Sequence, residues 1–183
     1  MSSQPENLRI FGRRSGWIGR TMTDAATKQI DLKQVSREEA ARIAAGKPGP
    51  EDQWAEGFPR EDDSDPAAGL ASAQEDPAPF GIYALVPRDH GRTIGTAGFH
   101  GPPDAAGEVT IGYGMVEPEW GQGYGTQAVA QLVEICRAHG DITAINADTD
   151  LDNVGSQRVL EKNGFEHVRT TETQRFFRLS LEN

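Results

Sequence analysis

One cysteine, Cys136, is all that the 183 residues carry. No internal disulfide can form. No cysteine and histidine cluster at ligand spacing, so no structural metal site is expected. Apolar residues never run for the roughly 18 positions that a membrane span needs. The N-terminus also lacks the apolar stretch of a secretory signal, so the expected setting is cytoplasmic, with no membrane partner. Bases are scarce: 18 Lys and Arg stand against 28 Asp and Glu, a net charge of −10. Phosphate backbones are gripped by Lys and Arg, so nucleic acid is not an expected partner. Gly (21) and Pro (11) stay below the share at which disorder becomes the default. The length suits one domain with a real core.

The charge is unevenly spread. Residues 1–20 hold Arg9, Arg13, Arg14 and Arg20 against Glu6 alone, whereas Glu51 to Asp76 hold nine acidic residues and one base, Arg60. Such a run is ordinarily a solvated, solubilising face. It also suits an acidic mouth that draws in a cationic ligand.

Residues 1–29 show little periodicity and read as an N-terminal extension, with Met22 a second potential start; the domain proper is expected over 30–183. Ile30 to Val35 alternates like a strand. Ser36-Arg37-Glu38-Glu39 then opens a short helix through Ala45, stopped by Gly46 and Pro48. The proline-broken acidic segment predicts loops, with a short helix near Ala67–Gln74. Strands are expected at Phe80–Val86, Thr93–Phe99 and Glu108–Val116, a meander with turn chemistry at Asp89-His90-Gly91 and Pro102-Pro103-Asp104. From Gly125 to His139, Ala128, Val129, Leu132, Val133 and Cys136 fall at helical spacing, which makes Cys136 a core residue. A strand at Ile142–Ala147, a helix at Asn153–Asn163 ended by Gly164, and strands at Phe165–Val168 and Phe176–Leu181 complete an α+β order.

Ile111-Gly112-Tyr113-Gly114-Met115-Val116-Glu117-Pro118-Glu119-Trp120-Gly121-Gln122-Gly123-Tyr124-Gly125-Thr126 runs from a strand through a glycine-rich turn into a helix. Backbone N–H groups freed by glycine would converge there on the positive end of a helix, an anion site suited to phosphate or pyrophosphate. The plainer reading is a tight turn that binds nothing. Two familiar phosphate loops do not match. The P-loop needs a Lys that is missing, and the dinucleotide fingerprint needs glycine where Thr126 stands.

Trp120-Gly121-Gln122-Gly123-Tyr124-Gly125-Thr126 resembles the pyrophosphate loop of the GNAT superfamily of acetyl-CoA-dependent N-acetyltransferases. A second block, Asp150-Leu151-Asp152-Asn153-Val154-Gly155-Ser156-Gln157-Arg158-Val159-Leu160-Glu161-Lys162-Asn163-Gly164-Phe165, is similar to a segment of that superfamily's ribosomal-protein-acetylase-like branch. The resemblance covers about Ile30 to Leu181. It implies a GNAT-like, mostly antiparallel sheet flanked by helices in one domain, acetyl-CoA as co-substrate and no metal.

The resemblance also implies roles for matched residues. Gly121, Gln122, Gly123, Tyr124, Gly125 and Thr126 would hold the pyrophosphate. Met115 and Val116 would pair with the pantetheine arm, with the Met115 amide polarising the thioester carbonyl. Asn153 and Ser156 would face the sulfur end of the cofactor. Where many members carry a tyrosine acid this chain has Leu160, which moves the expected proton donor to the Ser156 hydroxyl, otherwise a capping hydroxyl.

A base must take a proton from the acceptor ammonium before the amine can attack. Glu108, on the strand that carries Met115, is the first candidate and Asp148 the second, with a water relay as the alternative. His90, His100, His139 and His167 sit in turns or at element ends and read as surface residues. The acceptor site of this fold draws on the segment holding Trp54, Glu56, Phe58, Asp62 and Asp63. Aromatic rings among carboxylates suit a small polycationic amine such as an aminoglycoside antibiotic. A ribosomal or other protein N-terminus is the rival acceptor, and a non-catalytic acetyl-CoA sensor is the rival outside enzymes. A homodimer is compatible with all three.

Overall fold

The computed structural model describes residues 28–181; the readings made for residues 1–27 lie outside them. β1 (Ile30–Gln34) leads into α1 (Arg37–Ala45), where Ser36 Oγ accepts from Glu39 N–H at 3.2 Å and Gly46 closes the helix in the left-handed region. α2 (Glu61–Ser72), β2 (Ile82–Pro87), β3 (Gly95–Phe99) and β4 (Glu108–Met115) follow. α3 (Tyr124–His139), β5 (Ala144–Asp150), α4 (Val154–Lys162), β6 (Glu166–Thr170) and β7 (Gln174–Ser180) complete the chain. The seven strands form one sheet in the order β1-β2-β3-β4-β5-β7-β6, antiparallel at every step but β4–β5.

α3 and α4 pack on the face that carries Tyr113 and Met115, and α2 packs on the opposite face, where Asp63 bonds Thr96 of β3. The helical stripe of α3 is fully interior, Cys136 included, and burial pushes its thiol up to about 11. Each such side chain withdrawn from water contributes roughly 1.5–3 kcal/mol, so this helix is a main anchor of the core. Equally interior are Leu85, Ile94, Ile145, Leu160 and Phe177, all at most 1% exposed.

Two elements differ from the sequence reading. α2 starts at Glu61, six residues before the expected helix, and runs through Pro66. Its start is set by Asp63, which reaches back to accept the Arg60 N–H at 2.8 Å, so an acidic residue expected in the acceptor site instead caps the helix. β5 runs to Asp150 rather than ending at Ala147, because β7 pairs with it over its whole length. The other elements fall within a few residues of their expected bounds.

Candidate active site

The site is a gap in the sheet. β4 pairs with β5 only from Glu108 to Thr110, against Ala144 to Asn146. Beyond those residues β4 stays with β3 and β5 stays with β7, so their facing edges part. The Val116 N–H donates to Ile94 C=O and the His100 N–H donates to Thr110 C=O, each at 2.9 Å. At period two, Tyr113 and Met115 therefore turn their main-chain groups away from β3 and into the gap. Val116 has none to spare, since its carbonyl accepts from Glu119 N–H at 3.1 Å. The pairing role given to Met115 and Val116 is thus available at Met115 and, in place of Val116, at Tyr113. The Met115 carbonyl accepts the Trp120 indole N–H at 2.9 Å, leaving the Met115 N–H to the gap, while the rest of Trp120 is 62% exposed.

Next along the chain, Glu117–Glu119 form one 3-10 turn, and Gly121 and Gly123 adopt φ +74° and +86°. Those left-handed values favour glycine, and open space lies where either Cβ would stand. Gly123 caps α3 with no side-chain hydrogen bond and the first turn holds no acid. The N–H groups of Tyr124, Gly125 and Thr126 begin the helix without intrahelical acceptors. An uncapped N-terminus beside two open glycines fits a pyrophosphate group. Gln122 folds its amide back to Glu119 Oε2 at 2.9 Å, which leaves its main chain as the part that can face an anion. Gly125 lies against the core: a Cβ there would meet Val159, Tyr113 and Met115 at 3.4–3.6 Å, ordinary contact distance.

α4 starts on the same side of the gap. Asn153 caps it by accepting the Ser156 N–H at 3.0 Å, and the Tyr113 hydroxyl donates to the Ser156 carbonyl at 3.2 Å. Burial pushes the Tyr113 phenol up to about 12, so it stays protonated. Leu160 is wholly buried, behind this surface.

The two carboxylates considered as bases sit differently. Glu108 lies where the strands still pair, not where they part. It accepts Arg178 Nη2 at 2.8 Å, Arg178 Nη1 and the Asn146 amide, and those hydrogen bonds hold its carboxyl at about 2. A carboxylate that holds protons so weakly is a poor general base. Asp148 is exposed on β5 beyond the paired segment, with Gln174 Nε2 at 2.8 Å.

Glycines leave β4 bare on the face opposite α3. The His100 ring lies over Gly112, its Nε2 at 2.8 Å from where a Cβ would be, and the Arg60 guanidinium covers Gly114. His100 and Arg60 were not among the sequence candidates. The signal that could have found them was the Gly112/Gly114 alternation, which strips one face of a strand of side chains.

The acceptor candidates divide. Phe58 is buried and meets Trp54 edge to face, with centroids 5.3 Å apart, so only half-buried Trp54 offers a surface. Glu56 is exposed on a loop where a Cβ on Gly57 would lie 3.6 Å from Val116, and Asp62 is exposed in the first turn of α2. Asp63 is 1% exposed, gripped by Arg60 and by the Thr96 hydroxyl at 2.6 Å. It cannot also receive a ligand ammonium, which corrects its placing in the acceptor set.

The profile of the family described as Acetyltransferase (GNAT) domain matches residues 20–166. The chain belongs to that family. It is 33% identical over 86 residues to the uncharacterized N-acetyltransferase YjdG of Bacillus subtilis, covering 47% of this chain and 51% of that protein. The chain spans about half the length of the curated relatives it matches. Among solved structures, RimL, a ribosomal L7/L12 alpha-N-protein acetyltransferase in complex with coenzyme A, superposes with TM-score 0.60 at 15% identity, over 83% of this chain and 94% of that one. The aminoglycoside acetyltransferase AAC(6')-Ib in complex with coenzyme A gives 0.56 at 19% identity, over 83% and 95%. At such identities the two share a fold with this chain.

Proposed function

We propose that the protein moves the acetyl group of acetyl-CoA to a primary amine of a small, multiply charged cationic acceptor, for which an aminoglycoside is the leading example. The observation that carries the transferase reading is the parted edge of β4, where Tyr113 and Met115 face the gap beside the uncapped start of α3. The main chain of Gly121 to Thr126 holds the pyrophosphate of acetyl-CoA, which supplies the activated acetyl group. Tyr113 takes the pantetheine arm as a neighbouring strand would, and the Met115 N–H, the main-chain group that Met115 has to spare, polarises the thioester carbonyl. Asn153 and Ser156, at the start of α4, face the sulfur, and the Ser156 hydroxyl supplies the proton donor.

Supporting the acceptor class, the loop with Trp54 and Glu56 lies beside the Val116 end of β4 and presents the exposed Glu56 carboxylate, with exposed Asp62, 3.6 Å from Arg60, just beyond it in the first turn of α2. Thiol release from acetyl-CoA, measured across aminoglycosides, polyamines and N-terminal peptides, tests the reading. Fastest turnover of an aminoglycoside or polyamine is the expected result. Faster turnover of a basic N-terminal peptide replaces the small acceptor with a protein. Tight acetyl-CoA binding with no turnover of any amine makes the protein a sensor instead.

A further inference from the structure

Two polar side chains outside the cofactor surface flank the gap on the face away from α3. His100 follows β3, and its ring rests on the bare backbone at Gly112. Asp148 stands on β5. The register Thr110↔Asn146, carried two residues on, puts Gly112 and Asp148 level with each other across the opening. Gly112 and Asp148 share the face of Thr110 and Asn146, and the His100 and Asp148 side chains are exposed. The charged groups around them are already paired: Arg60 with Asp63 over Gly114, and Glu108 with Arg178 beneath Asn146. The chain therefore sets one imidazole and one carboxylate on either side of the opening, where an amine arriving from this face meets a strand edge facing the gap. Resting on the acetyltransferase reading above, we infer that His100 is the proton acceptor for the incoming amine and that Asp148 holds the ammonium against it.

Asp148 draws the acceptor ammonium to its lip of the gap. The ammonium gives one proton to the His100 imidazole, and the freed nitrogen lone pair forms the C–N bond with the thioester carbon. The C–S bond breaks with its electron pair passing to sulfur, and the thiolate takes a proton from the Ser156 hydroxyl, which regains one as the nitrogen releases its second proton. Imidazolium then returns the first proton to water, so the products are an amide, a free thiol and one proton. Imidazole suits the task because its ordinary proton affinity lies near neutral pH, which a strongly paired carboxylate such as Glu108 lacks. Gly112 is part of the device. A Cβ there would strike the far end of the His100 side chain, so Gly112→Ala swings the ring off its seat at little cost to the strand.

The test compares wild type, His100→Gln, Asp148→Asn and Gly112→Ala as full chains, with kanamycin as acceptor, or the fastest panel amine if kanamycin is inert. For His100→Gln, kcat should fall about a hundredfold to a thousandfold, with acetyl-CoA affinity by calorimetry within twofold. The acid limb of its kcat/KM profile should move to higher pH, where free amine is already present. Asp148→Asn should raise KM and the calorimetric acceptor Kd about tenfold, with a smaller effect on kcat. Gly112→Ala should reproduce part of the His100 loss while melting within a few degrees of wild type. A His100→Gln enzyme within threefold of wild type, or one with an unmoved acid limb, overturns the inference while leaving the transferase reading intact. Failure of the wild type to bind acetyl-CoA, or to acetylate any amine, overturns both.

Discussion

Glu108 shows how a residue's partners decide its chemistry. Its strand and position suit a base, but Arg178 and Asn146 hold the carboxyl at about 2 against an ordinary 4.5. A group with depressed folded pKa binds fewer protons in the folded state, so its contribution is complete above about pH 4.5 and is lost as pH falls toward 2. The stability advantage of wild type over Glu108→Gln should therefore be largest at pH 5 and close in acid, as urea unfolding at several pH values would show. Turnover of Glu108→Gln at neutral pH should stay within a few-fold of wild type; a thousandfold fall would return the base to Glu108. Gly123 shows the same dependence through the backbone. Its φ of +86° is strained for any side chain, and a carboxylate in the open space beside it would oppose pyrophosphate. Gly123→Asp should weaken acetyl-CoA binding at least tenfold in a folded protein, measured by calorimetry with circular dichroism as the folding check.

Among the elements, β4 is where fold and site meet. One edge bonds β3 throughout, and the other bonds β5 for three residues and then faces the gap. Gly95 lets β3 cross close to it: a Cβ would stand 2.0 Å from the Gly114 carbonyl, which is backbone and cannot turn aside. Gly95→Ala should cost about 3 kcal/mol in chemical denaturation and lower acetyl-CoA affinity as well, because the strand that must give carries Met115. The strands, α1, α3 and α4 were legible because period-two and helical spacing, together with Ser36, Asn153 and Gly164, are local signals. The start of α2 was not, since Asp63 gains its meaning from Thr96 and the covered Gly114, both far along the chain. The glycine loop announced the cofactor surface, whereas the seat of His100 on Gly112 needs the β3–β4 register that only folding supplies.

Over the whole molecule, the −10 charge is partly spent inside the fold. Of the acidic run, Asp52 is bound by Arg42 at 2.6 and 2.9 Å and Asp63 by Arg60, so these two brace α1 and α2. Glu51, Glu56, Glu61, Asp62 and Asp65 remain exposed. Exposed carboxylates act on a cationic acceptor chiefly by steering its approach, an effect that salt screens over about 8–10 Å at ordinary ionic strength. A carboxylate that touches the bound acceptor acts differently, because its removal leaves an ammonium unpaired in a desolvated contact. Neutralising each residue in turn should separate three behaviours. Glu51→Gln, Glu61→Gln and Asp65→Asn should lower kcat/KM less than threefold at low salt and have no effect at 0.5 M salt (a Debye length of roughly 4 Å). Glu56→Gln, beside Trp54 and the Val116 end of β4, or Asp62→Asn, in the first turn of α2, should raise KM about tenfold at both salt levels. Asp63→Asn should lower the melting temperature and free Arg60 from Gly114, with acceptor effects no larger than that instability explains. Weak, salt-sensitive effects at Glu56 and Asp62 alike would reduce the whole run to a solvated face and leave acceptor choice to the His100 and Asp148 side of the gap.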